Sequence, residues 1–232
     1  MLNNSEFQKL SEKFSKLDSI NLLNVMIKKI FSKKIVLTSS FGSESIVILH
    51  MISKIDRSTP VIFINTGKLF PETLDYAKKI INLLKLNNIL VLKPLNKDLK
   101  IKDPNENLYK KNPDECCKIR KVFPLEKIIN NYDAWITGRK RIHGFEREFI
   151  NKIEKSSTHI KINPLADWSL EKINKYIKKN NLPEHPLISK GYKSIGCFTC
   201  TNKVIYNESI RSGRWKNFKK KECGIHTFNP SI

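Results

Sequence analysis

Four short runs rich in β-branched residues, at 35–38, 61–64, 89–92 and 134–137, are separated by stretches with helical periodicity near 44–55, 72–86 and 115–130. Nothing else in the chain constrains its fold as much. Strand and helix in alternation give a parallel sheet covered on both faces, because each parallel connection must cross over one face. The fold class that follows is α/β: a mostly parallel, Rossmann-like sheet with helices on both sides and an irregular C-terminal arm. Ligands of such sheets bind at the carboxyl ends of the strands.

The flanking regions extend this plan. Apolar residues at Leu10, Phe14, Leu17, Leu22, Leu23, Met26 and Ile30 suit one or two amphipathic helices before the first strand. A further strand is expected near 158–162, then a helix N-capped by Ser169 and ending near Asn180. From Leu182 to Ile232 Pro and Gly recur with few apolar periods, which reads as an extended arm over the active edge of the sheet. No repeat or low-complexity linker divides the 232 residues, so the expected organisation is a single domain: helices in 1–32, an α/β core in 33–181, and the arm in 182–232.

Lys and Arg number 43 against 22 Asp and Glu, a formal charge of +21 that calls for an anionic partner. The longest apolar stretch, at 45–52, is far shorter than the roughly 20 residues of a membrane span. Glu6 and Glu12 interrupt any signal-peptide pattern, and the expectation is a cytoplasmic protein with no membrane partner. In that compartment five cysteines read as metal ligands or redox groups more readily than as disulfides.

Two strand-end loops carry anion-binding chemistry. In the first, Ser39, Ser40, Phe41 and Gly42 precede a helix, so that hydroxyls, backbone N–H groups and the helix dipole can converge on phosphate or sulfate. The second contains Thr66, Gly67, Lys68 and Leu69, with Pro71 at a helix start. Two such loops side by side favour a nucleotide over an isolated anion.

The cysteines fall into Cys116-Cys117, Cys197-x-x-Cys200 and an outlying Cys223. Four sulfurs in two pairs can enclose a tetrahedral metal or an iron–sulfur cluster. Adjacent helical residues diverge by about 100°, so Cys116 and Cys117 share one site only at a distorted helix start. Cys223 lies in a Glu-Cys-Gly-Ile-His sequence, where Glu222 opposes thiolate formation and His226, Lys219, Lys220 and Lys221 favour it. Arg120, Lys121, Arg139, Lys140, Arg141, Arg147, Arg211 and Arg214 gather at strand ends and beside cysteines, as a doubly anionic ligand requires.

The segments TSSFGSES, INTGKLFPET, CCKIRKVFPL, AWITGRKR, INPLADWS, GYKSIGCFTCT, GRW and ECGIH occur in the order found in one family. From about Lys33 onward the chain resembles the assimilatory adenosine 5'-phosphosulfate (APS) reductases, the iron–sulfur branch of the phosphosulfate reductases. The resemblance implies an adenine-nucleotide-hydrolase-like sheet and a [4Fe-4S] cluster on Cys116, Cys117, Cys197 and Cys200. It makes Cys223 the catalytic cysteine and puts Lys121 between cluster and substrate, with Arg147, Arg211 and Arg214 on the substrate's anionic groups. It implies reduction of APS to sulfite and AMP through a sulfonated cysteine, in sulfate assimilation, with thioredoxin or glutaredoxin as electron donor and no nucleic-acid partner; self-association is left open. Asn65 replaces the family's usual Asp, and Phe198-Thr199 replaces the usual x-Pro between the paired cysteines. The alternatives are a reductase of the 3'-phosphorylated substrate (PAPS), an adenylyl transferase of the same broad fold, and a basic nucleic-acid-binding protein with a four-cysteine zinc site. A 3'-phosphate would need a cation near the ribose, and the second loop offers only Lys68.

Overall fold

The computed structural model describes residues 3–156, 158–204 and 208–227. Six strands form one sheet in the order β3-β2-β1-β4-β6-β5: β1 Ile35–Ser39, β2 Val61–Ile64, β3 Ile89–Leu92, β4 Ala134–Ile136, β5 Ile153–Lys155 and β6 Ile160–Ile162. All neighbours are parallel except β5, which runs antiparallel to β6 on the edge. The first four strands and β6 lie where the sequence places them. β5 is an addition to that plan, because three residues with one buried apolar side chain carry no period to detect.

Among the described residues ten α-helical segments accompany the sheet: α1 Asn4–Phe14, α2 Ser19–Val25, α3 Ser45–Ile55, α4 Pro71–Leu84, α5 Asn96–Lys102, α6 Leu108–Lys111, α7 Pro113–Cys117, α8 Phe123–Ile129, α9 Leu170–Lys179 and α10 Gly224–Thr227. No helix among the described residues is long and apolar enough to cross a membrane. Local chemistry sets several helix ends. Asn3 and Glu6 form a reciprocal capping box on α1, and the Ser169 hydroxyl accepts from the Lys172 N–H at the start of α9.

The strands alternate as a doubly covered sheet demands. Ile35, Leu37, Val61, Phe63, Ala134 and Ile136 face the larger core with α1, α2, α3, α4 and α9, whereas Val36, Ile62 and Trp135 face Leu125 and Ile129 of α8. Each fully buried Leu, Ile or Val contributes about 1.5–3 kcal/mol, so the larger face dominates the stability of the sheet.

The helix expected over 115–130 is not continuous. Residues Lys118–Val122 form a π-helical turn between α7 and α8, directly after Cys117. An inserted residue of this kind rotates the side chains before it relative to those after it. Cys116 and Cys117 both precede it, as the last two residues of α7, so it changes their direction relative to Lys121 and α8 and not relative to each other.

β1 has β2 on one side and β4 on the other. The chain therefore leaves β1 in one direction and returns on the other side, opening a crevice beyond the carboxyl ends of β1 and β4.

Candidate active site

A cavity of about 210 Å³ occupies that crevice. The loop after β1 lines it with Ser39, Ser40 and Gly42, and the loop after β2 with Thr66 and Leu69. Lys121, Arg147, Arg211 and Arg214 line it too, as do Cys197 and Cys223. Three expected ligand-binding residues turn elsewhere. Phe41 is fully buried and packs edge-on against Phe63, its positive φ of 49° turning the chain towards α3. Gly67 and Lys68 do not line the cavity, and the Lys68 ammonium is paired with Glu106 at 2.5 Å. The second loop thus lends its hydroxyl rather than its cation.

Cys223 lies at the start of α10, and its Sγ is 3.8 Å from Lys121 Nζ. Its thiol is held well below the ordinary cysteine value by hydrogen bonding with Cys117, by Lys121 and by the Ile225 N–H, against the opposing effects of burial and Glu222. Burial alone would push the Lys121 ammonium down, yet Cys197, Cys223 and Cys117 hold it well above the usual lysine value. The cations expected from the adjoining sequence do not play this part. Lys220 is paired with Asp114, and burial pushes His226 far below the usual histidine value, leaving its ring neutral and stacked 5.8 Å from Trp135.

Glu222 accounts for two of the arginines. Arg147 Nε and Nη2 donate to its two carboxylate oxygens at 2.5 and 2.8 Å, and Arg211 Nη2 lies 3.6 Å away. Its carboxyl titrates well below the usual range: burial would raise it, but the Arg147 and Arg211 guanidiniums outweigh that. Arg214 is held differently: it donates to Thr201 Oγ1 at 2.6 Å and stacks 4.5 Å from the centre of Trp215. A Cβ on Gly196 would come within 1.9 Å of the Arg214 guanidinium, so any larger residue here would displace that side chain.

A second ion-pair group has no counterpart in the sequence reading. Lys140, fully enclosed, pairs with Glu44 at 2.7 Å, and His143 lies between Glu44 and Arg147. Glu44 precedes α3, and the 96 positions that separate it from Lys140 leave no local signal.

Two of the remaining sulfurs, those of Cys117 and Cys197, also neighbour Lys121. Cys116, Cys117 and Cys197 are buried and Cys200 partly so. Burial pushes the Cys116 thiol up to about 11, with Cys197 and Cys200 adding to the rise and Arg120 opposing it. Cys116 therefore has the second pair as neighbours, while Cys117 has Cys223. Cys197 Sγ is 3.3 Å from Thr66 Oγ1 and its backbone bridges to Leu69, which ties this pair to the β2 loop. Among the described residues no three His, Cys, Asp or Glu side chains are drawn together closely enough for a single metal ion. The donor set is all sulfur, shielded from water and flanked by Arg120 and Lys121, which suits a thiolate-ligated cluster in chemistry and charge.

Residues 34–203 match the phosphoadenosine phosphosulfate reductase domain. The chain belongs to that family. It is 42% identical over 213 residues to the adenosine 5'-phosphosulfate reductase of Mesorhizobium japonicum, covering 92% of this chain and 84% of the relative. Among solved structures, the phosphoadenylyl-sulfate reductase of Candida auris superposes with a TM-score of 0.72 at 27% identity, over 88% of this chain and 98% of that one. Yeast FAD synthetase aligns with a TM-score of 0.53 at 15% identity, over 85% and 74% of the two chains. That likeness shows a shared fold, and with the family match it establishes the adenine-nucleotide-hydrolase-like sheet expected from sequence.

Proposed function

We propose that this family member reduces adenosine 5'-phosphosulfate to sulfite and AMP in sulfate assimilation, with Cys223 as nucleophile. The observation that carries this reading is the Cys223 thiol 3.8 Å from Lys121 in a cleft lined by Arg147, Arg211 and Arg214. The Cys223 thiolate attacks the sulfur of the sulfate group. A sulfur–sulfur bond forms, the sulfur–oxygen bond to the phosphate breaks, and AMP leaves with that electron pair. Lys121 and the arginines offset the repulsion between the thiolate and the anionic oxygens. An external dithiol, thioredoxin or glutaredoxin, then attacks Cys223 Sγ, expels sulfite and closes to its own disulfide, which supplies the two electrons.

Cys116, Cys117, Cys197 and Cys200 would hold a [4Fe-4S] cluster, which with its four thiolates would be a net anion balanced by Arg120 and Lys121 and would tolerate ligands more widely spread than one zinc ion does. Iron and sulfide analysis with serine variants at these four positions distinguishes it from a zinc site: loss of both elements is expected in each, and retention of both in Cys223→Ser.

The decisive experiment is mass spectrometry of anaerobic enzyme mixed with substrate in the absence of a dithiol. The peptide containing Cys223 is expected to gain the mass of a sulfo group. An unmodified Cys223 during turnover overturns the covalent route. The substrate without a 3'-phosphate is favoured by the turning of Lys68 onto Glu106, away from the cavity. A kcat/KM ratio favouring the 3'-phosphorylated compound overturns that preference.

A further inference from the structure

An acidic residue next to the proposed nucleophile is costly. Glu222 lines the same cavity and adds negative charge where anionic substrate oxygens must come. A neutral residue would serve the chemistry better, unless the carboxylate does something that only an anion can.

Its contacts show what that is. Both carboxylate oxygens are taken by Arg147, in the paired geometry that gives the strongest and most directional contact between these groups. The oxygen that accepts from Arg147 Nη2 also accepts the Cys223 backbone N–H, at 2.7 Å. The carboxylate thus joins the body of the protein to the peptide unit that carries the thiol. Arg147 is steadied in turn by His143 Nδ1 at 3.0 Å from its Nη1, and His143 Nε2 faces Glu44 at 3.2 Å. An unbroken series of contacts therefore runs from Glu44, beside the β1 loop, through His143, Arg147 and Glu222 to Cys223. The segment has other anchors, since Arg211 Nη2 donates to the Lys221 carbonyl at 2.9 Å and the His226 ring stacks on Trp135, but it is Glu222 that accepts the N–H of Cys223 itself.

We propose that Glu222 is the positioning residue for Cys223, gripping Arg147 so that the thiol is held against Lys121 over the cleft. This rests on the reading that Cys223 is the nucleophile. The function is carried by a pair, so removing either member loosens the segment, and removing the second afterwards changes little.

The test uses the purified, cluster-containing enzyme and the variants Glu222→Gln, Arg147→Gln and their double. Alkylation of Cys223 by iodoacetamide without nucleotide is followed by peptide mapping, so the other cysteines do not contribute. Each single variant is expected to alkylate about tenfold faster than the parent, as loss of a charge-assisted pair allows, with the double close to the faster single. Glu222→Gln is also expected to lower kcat by more than it raises KM, because it misplaces the thiol rather than the substrate site. Should Glu222→Gln fail to fold, Glu222→Asp, which keeps the charge one methylene short, is expected to show the same pattern on a smaller scale. Alkylation rates within twofold of the parent, or single effects that multiply in the double, overturn the proposal. Turnover by Cys223→Ser would instead overturn the assignment of the nucleophile, and the alkylation result would stand.

Discussion

The charge facing the Cys223 thiol comes from Lys121, 102 positions away in sequence, rather than from its own neighbours. This is typical of what is legible in the sequence and what is not. Cys223, Lys121 and the paired cysteines stand out because their types and spacings are rare. The partners that set their behaviour are ordinary residues brought in by the fold: Glu222 meets Arg147 over 75 positions, and nothing local to either announces the other. The sequence assigns Arg147 and Arg211 to the substrate alone, yet both also face Glu222. Arg211→Ala and Arg214→Ala are expected to weaken AMP binding by about 1.5–3 kcal/mol each, the worth of a charge-assisted contact. Lys219→Ala, at an exposed position, is expected to change it little. Isothermal titration with AMP checks the ordering, and equal effects for all three would make the two arginines surface groups.

Among the elements, long periodic helices and β-branched strands are readable, whereas β5 and the helical pieces α5 and α6 are too short to leave a period. The π-helical turn after Cys117 has no signal in the helical periodicity over 115–130, which reads as one continuous helix. Glycine at 196 has a local reason, the Arg214 guanidinium lying where its Cβ would be. Gly196→Ala is expected to displace Arg214 and reproduce the weakened AMP binding of Arg214→Ala, with no further loss in the double variant. Titration of the three proteins decides it. The loop before residue 190 is fastened to α4 by His185, whose Nδ1 accepts the Leu187 N–H while Nε2 meets Thr73 Oγ1 at 3.0 Å. Burial holds this imidazole neutral with its pKa down at about 4, against a small opposing pull from Glu72. The unfolded chain therefore binds the proton first. Stability from this group is complete above about pH 6.5 and declines as pH falls towards 4, at a rate of at most about 1.4 kcal/mol per pH unit. Melting temperatures measured from pH 7 to 4 are expected to fall less steeply in His185→Gln than in the parent.

Over the whole molecule, the sheet supplies an edge, and the proposed cluster would tie separate stretches of chain across it. The first cysteine pair follows β3 and the second comes after β6, with about 80 residues between them, a long loop to close. Filling the proposed cluster site would clamp that loop and add binding energy to folding. Removing iron with a chelator is expected to lower the calorimetric melting temperature, Cys197→Ser to start from the lowered value, and Cys223→Ser to behave as the parent. An unchanged melting temperature after complete loss of iron would mean that the cysteines hold nothing structural. The same spacing orders events during synthesis. β1 to β4 have left the ribosome and can pair while Cys197 and Cys200 are still untranslated, so an inorganic core delivered early would find only half its ligands. If the proposed cluster is bound by these four cysteines, its loading waits for a largely folded sheet, and a cell short of iron accumulates this protein folded, colourless and unclamped rather than unmade.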